Sequence, residues 1–162
     1  MLVSGLVLGI VAGLAVGRTW RPLAAVSIRW LPVLVAALLA RVVAPFAGSL
    51  AFPLYAVALA GTIAVAAANV RLHGATLIAL GGALNLLVVL LNGGMPVDAA
   101  AVSAAGGAMP IDRLHATLTA QTLLAPLADV IPVAPLHAAY SVGDCAIALG
   151  GFAVPFVLLV RR

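Results

Sequence analysis

The residues able to act as acids or bases are few, and they gather in the C-terminal half of the chain. The sequence has no Glu and only four aspartates, and two of its three histidines lie in the same stretch. These residues are Asp98, Asp112, Asp129, Asp144, His115 and His137. Two carboxyl groups at close range cannot both ionise cheaply, so such a pair offers one acid and one base that together can activate water.

Asp144 stands in the most informative short motif, the sequence Tyr140-Ser141-Val142-Gly143-Asp144 before an apolar run. Ser141 followed three residues later by a carboxylate has the pattern of a capping box, which stabilises a helix N-terminus and needs no function. Alternatively, Asp144 faces a second carboxylate, for which Asp129 is the best candidate, and the two form a catalytic pair. The motif alone leaves both interpretations open.

Other polar residues stand inside or beside apolar runs and could support this pair. Arg41 either faces the interior of a helix bundle with a partner or extends its side chain to the membrane surface. Asn85 is predicted to make a hydrogen bond between helices, and Asn92, which precedes two glycines, to form a turn or helix cap. The remaining supporting candidates are Ser141, Asp112 and His115.

The sequence predicts no metal and no cofactor. Histidine and aspartate side chains suit zinc, and four of them are candidates here: His115, His137, Asp129 and Asp144. The sequence has, however, no HExxH motif and no paired ligand spacing on one helix. Haem between spans is not expected, because no histidines are predicted on facing helices at membrane depth. Cys145 is the single cysteine, which excludes an internal disulfide, and we expect it to pack within a helix.

The composition predicts a membrane protein. Of 162 residues, 65% are hydrophobic and 7% are charged, and the mean hydropathy is +1.29. A soluble domain carries roughly a quarter charged residues, so a lipid bilayer is the expected solvent. The arginines stand singly at the ends of apolar runs and form no basic patch, which excludes nucleic acid as an expected partner.

Five apolar segments have lengths near that of a spanning helix, for which about 20 residues are needed. They are predicted at residues 2–17, 31–46, 52–70, 75–91 and 144–160. The fold expected is therefore all-α, a polytopic membrane bundle of about five spans in a single integral membrane domain over residues 1–162. The sequence does not predict its oligomeric state.

The distribution of arginine predicts the orientation of these spans. Six arginines fall in the first and third connections and at the C-terminus: Arg18, Arg21, Arg29, Arg71, Arg161 and Arg162. The positive-inside rule places them in the cytoplasm, with the N-terminus outside and the C-terminus inside. Residues 92–141 then form an extracytoplasmic region that holds three of the four aspartates, and Asp144 lies at its membrane edge. The richness in Arg, Ala, Val and Gly suits a GC-rich bacterium, so the expected location is a bacterial inner membrane.

The extracytoplasmic region divides into three predicted pieces. Residues 93–109 are rich in Gly and Ala and read as a flexible strap. From Pro110 to Leu124, the spacing of Ile111, Leu114 and Leu118 predicts a helix that lies along the membrane surface. Residues 125–140 contain three prolines and are expected to be extended or turning, with Asp129 on a loop.

Several of these motifs resemble lipoprotein signal peptidase, the membrane-embedded aspartic endopeptidase of bacteria. The stretch YSVGDCAIALG from Tyr140 is similar to the motif aromatic-Asn-x-Ala-Asp-(Ser/Thr)-x-Ile…Gly of that family, and residues 127–131 are similar to its Val-Val-Asp-Phe-Ile stretch. The resemblance implies that Asp129 and Asp144 are the catalytic aspartates. Residues 81–85 are similar to the family's block Gly-Gly-Ala-x-Gly-Asn, with one Gly missing. Residues 106–113 are a competing match to the same part of the family pattern.

The sequence also departs from that family. Ser141 and Gly143 replace the motif Asn and Ala, the early element Asn-x-Gly-x-Ala-Phe has no counterpart, and five predicted spans replace four. The whole chain, with Asn92-Gly93-Gly94-Met95-Pro96-Val97 and the YSVGD element, more closely resembles a bacterial family of small multi-pass membrane proteins whose function is not established.

Three functions are compatible with these patterns. The first is an aspartic peptidase-like hydrolase with Asp129 and Asp144 as its catalytic pair and a membrane-anchored peptide or lipid as substrate. The second is a binder or carrier of a small solute or lipid, with the same polar residues lining a cavity. The third is a non-catalytic membrane subunit or assembly factor. Converging carboxyl groups favour the first, and a polar cavity at mid-membrane depth favours the second.

Overall fold

The structure is a computed structural model that describes residues 1–16, 19–110 and 112–160. Five helices form its body: α1 (Leu2–Ala15), α3 (Leu31–Val43), α4 (Ala51–Ala68), α5 (Ala75–Asn92) and α7 (Val142–Val160). Two short helices, α2 (Arg21–Ala25) and α6 (Ala99–Ala104), stand in the connections. Four three-residue strands follow α5: β1 (Met95–Val97), β2 (His115–Thr117), β3 (Ile131–Val133) and β4 (Ala138–Tyr140).

All five predicted apolar segments are helical, which confirms the all-α bundle. Each helix begins and ends within a few residues of its predicted bounds, although the predicted end of the first span at Gly17 lies outside the described residues. Helices α4, α5 and α7 are long and apolar enough to cross a membrane, counting α4 together with the short 3-10 turn before it. The segments at α1 and at Leu31–Phe46 are apolar but shorter.

The five helices pack as a row in the order α3, α4, α5, α7, α1, so that each contacts its neighbour in the row. Small residues allow close packing between α1 and α7: a Cβ atom on Gly9 would lie 2.9 Å from the ring of Pro155, and one on Gly13 2.6 Å from Leu159. Such contacts between small residues are typical of helices in membranes. Large apolar side chains such as Val7, Val57 and Leu80 remain exposed on the outer faces.

Two small sheets cover one end of the bundle. Strands β1 and β2 pair in parallel, with Met95 opposite His115, and β3 and β4 pair antiparallel, with Ile131 opposite Tyr140. The strap predicted over residues 93–109 is therefore partly ordered, since it contains β1 and α6. The Asp98 carboxylate caps α6 by accepting a hydrogen bond of 2.9 Å from the Ala100 N–H.

The prediction of an interfacial helix from Pro110 to Leu124 is wrong. Asp112 instead accepts hydrogen bonds from the backbone N–H groups of Leu114 and His115, at 2.8 and 3.1 Å. This turn directs the chain into β2. Leu114 is completely buried in the core beneath the sheets, where it contacts Met95 and α5 rather than a membrane surface. Ile111, which was part of the predicted helical pattern, lies outside the described residues.

Residues 125–140 are extended or turning, as the prolines predict. Two 3-10 turns, Ala125–Leu127 and Ala134–Leu136, flank β3. Asp129 lies between them and forms an isolated parallel bridge with Val97. The Asp129 N–H donates to the Pro96 carbonyl at 2.9 Å, and the Asp98 N–H donates to the Asp129 carbonyl at 3.0 Å. The Asp129 backbone is thus fixed on both sides by the strand that follows α5.

Candidate aspartate site

The N-terminus of α7 fixes the Asp144 carboxylate. The Ser141 hydroxyl accepts a hydrogen bond of 2.9 Å from the Asp144 N–H, and Asp144 Oδ2 accepts from the Ser141 N–H at 3.4 Å and from the Ser141 hydroxyl at 3.1 Å. The predicted capping box is therefore present. It does not compete with the alternative interpretation, because the same Asp144 side chain also lines a cavity together with Asp129.

Asn85 makes the interhelical hydrogen bond that the sequence predicted, and this bond links α5 to the Asp144 carboxylate. Its Nδ2 donates to Asp144 Oδ1 at 3.1 Å. Its Oδ1 lies 2.9 Å from the Ser141 hydroxyl, whose single proton is shared between this oxygen and Asp144 Oδ2. Both Asn85 and Ser141 are buried. The Asp144 carboxylate is therefore held in place by the Asn85 amide and by the backbone N–H and hydroxyl of Ser141.

Two glycines make this interhelical contact close enough. A Cβ atom on Gly143 would overlap Asn85 Oδ1 and lie 2.6 Å from the Gly81 carbonyl oxygen. A Cβ atom on Gly81 would likewise overlap the Gly143 carbonyl oxygen. The backbones of α5 and α7 therefore approach each other at the level of Asn85, and this approach lets a short amide side chain reach Asp144.

Asp129 faces the same cavity from the loop side. The residue is only 6% exposed, and its Oδ1 is buried without a hydrogen-bond partner among the described residues. Burial, followed by the negative charge and the side-chain hydrogen bond of Asp144, raises the pKa of this carboxyl to about 8, although the positive charge of Arg41 opposes the increase. Asp129 therefore retains its proton at neutral pH.

Asp129 gives the protein a specific pH dependence of stability. Because its folded pKa of about 8 lies above the ordinary aspartate value of about 4, the unfolded state releases this proton first. We expect the contribution of Asp129 to the free energy of unfolding to be fully present below about pH 4 and to be lost as the pH rises to about 8. Thermal unfolding in detergent should therefore become easier over this range.

The Asp129→Asn variant tests this expectation, because an amide replaces the neutral acid and does not titrate. Its unfolding temperature should fall less between pH 4 and pH 8 than that of the unsubstituted protein. Difference infrared spectroscopy should also detect the protonated carboxyl at neutral pH and its disappearance in the variant. Equal pH slopes for both proteins would contradict a protonated Asp129.

Arg41 lies within the bundle at this cavity, which supports the first of its two predicted placements. Its guanidinium carbon is 4.4 Å from the ring centroid of Tyr55, and the buried Tyr55 comes from α4. Arg41, Tyr55, Asp129 and Asp144 all line the same cavity of about 260 Å³. The stacking on Tyr55 positions the guanidinium over an aromatic face close to the carboxyl groups.

Asp112 and His115 form a pair at the cavity wall. The His115 Nδ1 lies 2.8 and 2.9 Å from the two carboxylate oxygens of Asp112. Burial raises the pKa of Asp112, but hydrogen bonds from the Leu114 backbone and from His115 outweigh this effect and hold that pKa below its usual range. His115 lines the cavity. Asp112 does not line it, but it orients the imidazole ring of His115 through the contact with Nδ1.

Asn92 is placed elsewhere, although it was predicted as a supporting residue. Its amide donates to the Val88 and Leu123 carbonyls at 2.9 and 3.0 Å and accepts from the Leu123 N–H at 2.9 Å. Gly93, at a φ of +71°, ends α5 next to it. The predicted cap is therefore confirmed, and Asn92 holds the loop after β2 against α5 rather than contributing to the cavity.

Two tyrosines line the cavity, and neither was proposed as a site residue from the sequence. The chain contains only two, and both Tyr55 and Tyr140 line the cavity. Burial, followed by the charge of Asp144 and then that of Asp129, raises the pKa of Tyr140. Tyr140 is the first residue of the Asp144 motif, but it was not singled out as a candidate site residue. Tyr55 offered no signal beyond its rarity in an apolar helix.

The remaining candidates do not form a metal site. Within the described ranges, no group of three or more His, Cys, Asp or Glu side chains could hold a metal ion. His137 adopts a left-handed backbone conformation with φ of 49° near Gly106. Cys145 is a free thiol in the first turns of α7.

Comparison with known proteins gives one match. The model of DUF5317, described as a family of unknown function, matches residues 16–156. No curated protein and no solved structure matches the chain.

Proposed function

The chain belongs to DUF5317, a family of unknown function, and on this premise we propose that it is a membrane-embedded hydrolase with Asp129 and Asp144 as its catalytic pair. The observation that carries the proposal is the shared cavity in which a buried, protonated Asp129 faces an Asp144 stabilised by hydrogen-bond donors. Different environments for two neighbouring carboxyl groups are the arrangement that general acid and base catalysis requires. The resemblance of both segments to lipoprotein signal peptidase supports a peptide bond as the target.

The surroundings assign a role to each carboxyl group. Asp144 accepts hydrogen bonds from the Asn85 amide and the Ser141 N–H and lies beside the Ser141 hydroxyl, and we assign it the role of the base. Asp129 has a pKa of about 8 and therefore serves as the acid. Arg41 limits the rise of the Asp129 pKa through its positive charge, and it lies where it can also attract a substrate carbonyl.

The proposed reaction balances with water as the only co-reactant. Asp144 removes a proton from water while the water oxygen bonds to the amide carbon, and Asp129 donates its proton to the carbonyl oxygen. The tetrahedral intermediate then collapses: the carbon–nitrogen bond breaks, and the nitrogen takes up the proton held by Asp144. A hydroxyl proton of the intermediate returns to Asp129 as the new carboxylic acid forms. The products are one carboxylic acid and one amine.

A second cavity of about 180 Å³ indicates how a substrate could reach the aspartates. It shares Arg41, Tyr55 and Asp144 with the first cavity, and it extends between α1, α3 and α4 along apolar side chains. The pair of cavities thus joins a polar compartment under the sheets to an apolar gap between helices. This arrangement supports a substrate that is itself anchored in the membrane, either a peptide or a lipid.

The proposal includes an orientation in a bacterial inner membrane. Arg29 and Arg71 lie in the connections at the end of the bundle opposite the aspartates. The positive-inside rule then places the aspartate site on the extracytoplasmic side, with the N-terminus outside. Arg18, Arg161 and Arg162, which carried part of this prediction, lie outside the described residues.

The proposed activity can be tested with the protein reconstituted in liposomes. The probes are synthetic peptides that each combine one apolar spanning helix with a short polar extension, incubated in water enriched in oxygen-18. We expect two fragments by mass spectrometry, with one heavy oxygen in the new carboxyl group. Intact peptides across the set, in liposomes that retain folded protein, would contradict a peptidase.

A carrier function is the second candidate, and one observation favours it. Asn85 and Asp144 line the cavity between the helices, as expected for a site that holds a small solute inside a bundle. Uptake of a solute by liposomes that survives the Asp144→Asn substitution would support this function instead of hydrolysis.

A further inference from the structure

The end of the bundle opposite the aspartates is held together by one buried amide. Asn69, at the end of α4, accepts a hydrogen bond of 2.8 Å from the Arg29 N–H and donates one of 2.9 Å to the Arg29 carbonyl. The guanidinium of Arg71 donates to the Ser27 carbonyl at 3.4 Å. The connections before α3 and after α4 therefore lie side by side, and each presents an exposed arginine.

An apolar cavity of about 110 Å³ lies directly behind these two connections. The cavity walls come from α1, α3, α4, α5 and α7 and include Leu6, Leu34, Val65 and Ile78. Two polar residues border it, but their side chains are bonded to their own helix: the Thr62 hydroxyl donates to the Ala58 carbonyl at 2.9 Å and the Asn69 amide to the Val65 carbonyl at 2.8 Å. The cavity is therefore suited to hydrocarbon.

We propose that this end of the bundle binds an anionic glycerophospholipid from the adjacent leaflet. The phosphate lies between Arg29 and Arg71, and one acyl chain enters the apolar cavity. Arginines that flank a gap between membrane helices are a recurrent site for anionic lipid head groups. Trp30 follows Arg29 and is 52% exposed, which suits an aromatic side chain at head-group depth.

The size of the cavity favours an acyl chain over a peptide. A helix needs a space about 10 Å across, which a volume of about 110 Å³ does not provide. A single methylene chain is narrow enough to enter between α1 and α3, which are the two ends of the helix row. A soluble anion would use the arginines but leave the cavity without a role.

The lipid site is distant from the aspartates, although its apolar cavity shares Leu2 and Thr62 with the second cavity described above. Tyr55 lies at the aspartate cavity and Asn69 borders the lipid site on the same helix, α4. At a rise of about 1.5 Å per residue, they are about 20 Å apart along its axis. An Asp144→Asn variant should therefore bind the lipid unchanged, so failure of one proposal does not decide the other.

The head-group contact is tested by native mass spectrometry of the full chain in detergent, titrated with dioleoyl phosphatidylglycerol or with dioleoyl phosphatidylcholine. We expect tighter binding of phosphatidylglycerol, and a loss of about fivefold in Arg71→Gln, because one arginine near a charged surface contributes about 1 kcal/mol. The matched control is Arg113→Gln, which removes an exposed arginine at the aspartate end. Equal affinities for the two lipids, or an equal loss in the control, would overturn the site.

The acyl contact is tested by filling the cavity and by shortening the chain. Ala66 is 7% exposed and lines the cavity, so Ala66→Phe should abolish retention of phosphatidylglycerol. Should this variant fail to fold, dihexanoyl phosphatidylglycerol provides the same test on the unsubstituted protein, and we expect at least tenfold weaker binding than for the dioleoyl lipid. If glycerol phosphate competes as well as the long-chain lipid, the cavity takes no part in binding and the proposal fails.

Discussion

Asp129→Asn and Asp144→Asn should each reduce hydrolysis of a membrane-anchored peptide by about 10³-fold or more. An amide in place of Asp144 cannot remove a proton from water, and an amide in place of Asp129 cannot protonate the carbonyl oxygen. Losses of this size are typical when one member of a catalytic unit is removed. The rates are compared in liposomes that contain equal amounts of folded protein.

Both variants should fold, which makes the comparison informative. Asp129 is protonated at neutral pH because its pKa is about 8, so an amide of the same shape replaces a neutral acid. Asn at position 144 retains an oxygen that can accept from Asn85 or from Ser141, and we expect a loss of about 1 kcal/mol in the free energy of unfolding.

Asp98→Asn is the matched control for this experiment. Asp98 also lies between α5 and α7, but its carboxylate caps α6, and Asn caps a helix about as well. Hydrolysis by this variant should remain within about twofold of the unsubstituted rate, since it alters no group at the cavity. Unchanged hydrolysis in the two catalytic variants would exclude Asp129 and Asp144 as the catalytic pair.

Gly143→Ala should both destabilise the bundle and inactivate the site. The added methyl group would overlap Asn85 Oδ1 and the Gly81 backbone, which are not free ends of flexible side chains. Overpacking of this kind costs about 1–3 kcal/mol. Because relief requires α5 to move away from α7, the hydrogen bonds from Asn85 to Asp144 and from Ser141 to Asn85 should break.

Gly61→Ala separates this effect from a general effect of alanine. Gly61 also lies in a long apolar helix, but its added Cβ atom would be 3.2 Å from the side chain of Ala37 and close to no backbone atom. Alanine also has the higher helix propensity, by about 1 kcal/mol. Thermal unfolding should therefore change much less in this variant. Equal destabilisation by the two substitutions would show that the α5–α7 contact has no special role.

The sequence predicted the helices well because their signal is local. An apolar segment of sufficient length must form a helix in lipid, because a helix pairs all of its backbone polar groups within the segment. The capping box was equally visible, since Ser141 and Asp144 are three residues apart. The hydrogen bond of Asn85 was expected for a buried amide between helices, although its partner could not be named.

The region between the helices was harder to predict. The spacing of Leu114 and Leu118 fitted a surface helix, but Asp112 forms a turn and Leu114 is buried beneath the sheets. Each strand has only three residues, too few for an alternating pattern to be recognised. The position of Asp129 opposite Asp144 depends on pairing between segments that are distant in sequence, and no local pattern specifies such pairing.

The order of the helix row has a consequence for biosynthesis. Helix α1 is made first but packs on α7, which is made last. At a synthesis rate of about 5–20 residues per second, α1 must wait on the order of ten seconds in the membrane without its partner. Its glycine face would meanwhile be open to other nascent helices, so a membrane insertase or chaperone that shields α1 should increase the yield. The aspartate cavity is complete only when α7 arrives, because α7 contributes Asp144 to its wall.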